Sequence, residues 1–147
     1  MLKKQVKILL VTMQALLIGM QFLAVGKGPS AQSGERESLS VFGMIYRYAG
    51  MGFSNDALAY LILSCLIPVL IVIFLLALKE RYNFGAAACL SSFYMLAAAC
   101  FFSAAKRKMV DSVQFTGLHY LIILVSLISL ALAAWGFCIC VPPAEKC

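Results

Sequence analysis

Read for its apolar and polar positions, the chain resolves into four long apolar runs separated by short polar stretches. The runs are continuous rather than alternating, so they predict helices and not barrel strands. They cover about 8–25, 57–78, 84–104 and 118–141, each near the ~20 residues that cross ~30 Å of hydrocarbon. The pattern predicts an all-α integral membrane protein. Its four transmembrane helices form an antiparallel bundle within a single membrane domain.

The connections differ in character. Residues 26–37 are rich in Gly, Ser and charge and predict an irregular loop outside the hydrocarbon. From 39 to 53 the chain is apolar except for Ser40, Gly43, Arg47 and Gly50, which recur at helical spacing. This predicts a short interfacial helix within the first loop, with Tyr46, Arg47 and Tyr48 at headgroup level and Gly50 and Gly52 ending it. A re-entrant segment lining a pathway is the alternative. The stretch 79–83 predicts a tight turn, which makes the second and third spans antiparallel neighbours.

Within the spans, the polar residues fall on particular faces. Gln14 and Gln21 lie seven apart on one face of the first span, where each amide can hydrogen-bond across a helix interface for roughly 0.6–2 kcal/mol. The second span offers Ser54 or Asn55 as N-cap and Asp56 in its first turn. Pro68 in its middle removes the backbone bond to the Ser64 carbonyl and predicts a kink. Gly85, Ala88, Ser92, Ala99 and Ser103 form a small-residue stripe on the third span. His119, Ser126, Ser129, Ala133, Gly136 and Cys140 share one face of the fourth, which Pro142-Pro143 ends. These faces read either as packing seams or as a polar path. The first span could instead be a cleaved signal peptide, since Ala24-Val-Gly26 fits a small-x-small site. Its length and its two glutamines favour a retained helix.

Composition agrees with a membrane location: 63% hydrophobic residues, 12% charged and a mean hydropathy of +0.96 lie outside the soluble range. The net charge of +6 is spread in small groups at the ends of apolar runs, the pattern of membrane flanks and not of a nucleic-acid-binding face. With the odd and even connections on opposite sides, each side carries six basic residues. Discounting the long loop places both termini in the cytoplasm, although Lys106-Arg-Lys108 argues the other way and a tie also suits dual topology.

The chemistry offered is sparse. No Asp, Glu, Lys or Arg lies in the middle of a span, which speaks against a proton-coupled carrier and against the small multidrug-resistance transporters with their membrane-embedded Glu. Cys65, Cys89, Cys100 and Cys138 fall within spans, where Cys behaves as a small apolar residue. Cys138-Ile-Cys140 lacks the spacer of a redox pair, and one His supports neither a metal site nor a bis-histidine haem. Catalytic residues, metal ligands and cofactors are therefore all predicted to be none.

In layout the chain resembles the membrane-associated eicosanoid and glutathione metabolism proteins, with four spans, a long first connection and a short second one. Glu35-Arg36, Arg47 and Asn55 are the residues that could correspond to that family's motif, but their separations differ from it and its second Glu is missing. The resemblance implies a thiol-conjugating membrane enzyme. The residues themselves favour a non-catalytic accessory or structural subunit, partnered by the lipid bilayer and by further copies or other membrane subunits. The alternative is a small transporter or channel whose path is lined by the Gln14/Gln21 and His119/Ser126 faces.

Overall fold

The computed structural model describes residues 2–29, 35–110 and 112–140, and 79% of these are helical. The order is α1 (Leu2–Met20), β1 (Ala24–Pro29), β2 (Arg36–Ser40), α2 (Val41–Gly50), α3 (Ser54–Ala77), α4 (Glu80–Lys108), β3 (Gln114–Phe115) and α5 (Leu118–Cys140). The end of the fourth predicted span at 141 and the Pro142-Pro143 stop lie outside the described residues.

Among the described residues three helices are long and apolar enough to cross a membrane: Ser54–Ala77, Tyr82–Lys108 within α4, and Leu118–Cys140. The chain is thus consistent with a multi-pass membrane protein. The first predicted span is shifted: α1 starts six residues before 8 and stops at Met20, where the chain turns into β1. Lys3, Lys4 and Lys7 lie in its first two turns, leaving an apolar stretch of only about 20 Å from Ile8 to Met20.

The helices pack by one stripe each. Val6, Leu10, Gln14, Leu17 and Met20 of α1 are buried against α3 and α5, while α4 packs between α3 and α5. The opposite faces are apolar and outward, including Leu58, Ile62, Leu66 and Ile73 on α3 and Leu121, Leu124, Leu127 and Trp135 on α5. An exposed apolar surface of this extent suits lipid and not water. At Gly136 a Cβ would sit 2.5 Å from the Phe84 ring, so the missing side chain is what lets Phe84 fill the α4–α5 interface.

Three expectations are corrected here. Within 26–37, where residues 30–34 lie outside the described ones, the two ends of the expected irregular loop are strands: β1 pairs antiparallel with β2, and with β3 from far along the chain, in a sheet of order β2-β1-β3. Thr116 extends this junction, its backbone N–H donating to the Val25 carbonyl and its hydroxyl to that of Ala24. The tight turn over 79–83 shrinks because α4 already begins at Glu80. Neither Ser54 nor Asn55 caps α3, whose N-cap is Phe53 without a side-chain hydrogen bond, although Asp56 does occupy the first turn.

A helix does form inside 39–53. The Ser40 hydroxyl caps α2 by accepting from the Gly43 N–H at 3.2 Å, and Gly52, at φ 95°, takes the left-handed conformation just past its end. Its buried residues, Val41, Met44, Ile45 and Tyr48, follow helical spacing. With the sheet, α2 forms a cap on the end of the helices where α1 and α4 finish and α3 and α5 begin. The start of α1 and the end of α5 share the opposite end.

Candidate functional site

Two polar clusters lie inside the helical region. In the first, the Gln14 amide Nε2 donates to the Ser129 hydroxyl at 2.6 Å, and Ser129 lies 3.4 Å from the Ser91 hydroxyl. Three helices, α1, α5 and α4, thus meet at one point, and all three side chains are buried. Nearby, Ser126 spends its hydroxyl on the Ile122 carbonyl of its own helix at 2.7 Å. In the second cluster, toward the cap, Gln21 Nε2 donates to the Tyr94 hydroxyl at 2.9 Å and to the Leu17 carbonyl at 3.2 Å.

Each cluster leaves polar atoms unused. Among the described residues Gln14 Oε1 and Gln21 Oε1 are buried without a hydrogen-bond partner, as is Asn83 Oδ1 at the opposite end of α4. An enclosed polar atom without a partner costs about 1–3 kcal/mol. Three amide oxygens without donors give the interior a surplus of acceptors.

Other candidate residues are placed differently. Pro68 is buried inside α3. Ser92 turns back on its own helix, donating to Ala88 or Cys89 carbonyls at 2.9 Å, and the stripe of Gly85, Ala88, Ser92 and Ala99 is half-buried. The face of α4 that is fully buried is the neighbouring one: Phe84, Ala87, Ser91, Tyr94, Ala98, Phe102 and Ala105. Ser91, absent from the sequence-derived set, makes the contact with α5. Helical phase with these bulky residues was the signal for it.

Under the cap, aromatic rings run in contact from helix to helix. Tyr48 stacks on Phe53 at 4.9 Å and meets Phe101 edge-on, Phe101 stacks on Tyr60 at 4.1 Å, and Phe102 lies 5.8 Å from His119. Tyr48 is therefore buried within the protein, whereas Tyr46 is 82% exposed. Burial, and secondarily the Asp56 carboxylate, raise the Tyr48 pKa above the ordinary 10.0. Arg47 crosses the hairpin at Gly28 and donates to the Pro29 carbonyl. A cleft of about 260 Å³ opens beside this stack, with Tyr48, Asp56, Tyr60 and Cys100 among its walls.

His119 is buried at the start of α5, where its ring Nδ1 donates to the Thr116 carbonyl. It lines two clefts together with Lys106 and Tyr120. Among the described residues no group of three His, Cys, Asp or Glu side chains comes together as metal ligands. Glu35, Arg36 and Asn55 are exposed on the cap side.

No family model, curated protein or solved structure matches the chain.

Proposed function

We propose that the chain is a four-span membrane protein acting as a non-catalytic accessory or structural subunit, with α1 as the fourth span and α2 lying in the interface. The lysines of α1 can extend their stems to headgroup level and so lengthen its short apolar stretch. The observation that carries the reading is the Gln14–Ser129–Ser91 contact, in which buried polar side chains of three helices meet. With the start of α1 and the end of α5 away from the cap, the termini would be cytoplasmic and the cap external. Such a subunit works by the surfaces it presents, here an apolar girdle for lipid or neighbouring spans and a cap for contacts outside the bilayer.

Native mass spectrometry of the full chain purified in mild detergent tests this. The expected result is a homo-oligomer or a complex with another membrane subunit, and a monodisperse monomer overturns it.

One observation favours a second reading, a small carrier or channel: the unpartnered oxygens of Gln14, Gln21 and Asn83 would suit a solute rich in donors. That reading requires solute flux in proteoliposomes and its loss in the Gln14→Leu, Gln21→Leu double variant.

A further inference from the structure

At the capped end of α4, three consecutive cations, Lys106, Arg107 and Lys108, close the helix. Their described contacts are with neutral groups. Lys106 Nζ donates to the Tyr120 hydroxyl at 3.2 Å, Arg107 donates to the Ser103 hydroxyl and carbonyl, and Lys108 sits over the Phe53 ring at 5.1 Å. Among the described residues no carboxylate pairs with any of the three. Beside them α5 begins with no acidic residue in its first turn, and the positive end of its dipole offsets the negative end of α4, leaving the three cations as the net charge there.

Between these helix ends lie two clefts, of about 480 and 230 Å³, which share Lys106, His119 and Tyr120. The first is walled by the polar turn at Gln114, Thr116 and Gly117. The second descends between Ala99, Phe102 and Ile123, on the apolar flanks of two helices long enough to span a bilayer. His119 is only 5% exposed. Its Nδ1 is held by the Thr116 carbonyl, and its Nε2 has no hydrogen-bond partner among the described residues. The ring thus stands where the polar and apolar clefts meet.

We infer that this groove binds an acidic phospholipid. Its phosphate would lie against Lys106, Arg107 and the His119 ring, and one acyl chain would run down between Ala99, Phe102 and Ile123. A cationic rim above an apolar slot matches an amphiphile with an anionic head better than a free anion, because the slot offers a free anion nothing. The inference needs α4 and α5 to lie in a bilayer and does not depend on what the protein assembles with.

The test uses the purified full chain, stripped of lipid in neutral detergent and offered phosphatidylglycerol or phosphatidylcholine in equal amounts, with retained lipid counted by native mass spectrometry. Phosphatidylglycerol should be held at least about fivefold more tightly, the weight of one charge near a surface. Lys106→Gln should lose about fivefold and Lys106→Gln with Arg107→Gln more, while Lys79→Gln at the other end of α4 should leave retention unchanged. Both replaced side chains are exposed, so folding is little at risk, and the melting temperature of each variant verifies this. Equal retention of both lipids overturns the proposal, as does an equal loss in Lys79→Gln. Displacement of the lipid by millimolar inorganic phosphate would mean a free-anion site and would overturn it too. Failure of the membrane reading itself would show separately, as recovery of the chain without detergent.

Discussion

The helical interior and the cap are built by opposite means. In the interior, regular helices are fixed by many close contacts spread along their length: Gly136 receiving Phe84, the stripe of α1 between α3 and α5, and a three-helix hydrogen-bonded point at Ser129. The cap is one short helix, α2, with a small three-stranded sheet. A two-residue strand, Gln114–Phe115, ties the third connection to the first, and Arg47 holds the hairpin by its hydrogen bond to the Pro29 carbonyl. Damage to the interior should therefore spread through the whole fold, and damage to the cap should stay local.

The largest effect is expected at Gly136. In Gly136→Val the added carbon meets the Phe84 ring at 2.5–2.6 Å, and the ring is fully buried with no space to retreat. A loss of about 1–3 kcal/mol or more follows, read as a lowered melting temperature in detergent. Adding Phe84→Ala should recover part of it, and a null effect of Gly136→Val would remove the contrast at its root. Next come Gln14→Leu and Ser129→Ala. Each breaks the 2.6 Å bond, but Gln14→Leu also removes an unpartnered buried oxygen, so its cost should be the smaller. A double-mutant cycle should give a coupling of about 0.6–1.7 kcal/mol. Strict additivity would show that the clusters do not join the helices.

The same division explains what the sequence disclosed. The buried face of α5 was readable because His119, Ser126, Ser129, Ala133 and Gly136 follow helical spacing and all point inward. On α4 small residues misled: they mark where a helix can be approached, but Phe84, Tyr94, Phe101 and Phe102 are the bulk that fills the interior, and they set the buried phase one position aside. In α2 the apolar residues Val41, Met44, Ile45 and Tyr48 carried the amphipathic signal, and its polar stripe alone did not show that Tyr48 faces inward. The sheet was illegible for a different reason. β1 is a Gly-containing segment without apolar alternation, and β3 pairs with it across nearly ninety positions, a relation that no local window contains.

Smaller effects should mark the cap. Arg47→Ala removes the charged donor from the Pro29 carbonyl and should cost about 1 kcal/mol or less, since the side chain is half-exposed. Hydrogen exchange should quicken in β1 and β2 while the helices and the global melting temperature stay as they were. A melting temperature lowered as far as in Gly136→Val would show that the cap is not a separable unit.

The finest probe is Tyr48, where cap and helices touch. Its folded-state pKa is raised by burial first and by Asp56 second, so the protein favours the neutral phenol. The contribution of that phenol to stability is fully present below the unfolded value of about 10 and is lost as pH rises through the folded value. Tyrosinate absorbance followed on alkaline titration should contain a late component that Tyr48→Phe removes. Asp56→Asn should move that component slightly toward lower pH, because the weaker of the two causes is gone. If Tyr48→Phe instead removed an early component, the ring would be meeting water, and the aromatic stack would not be what couples the two regions.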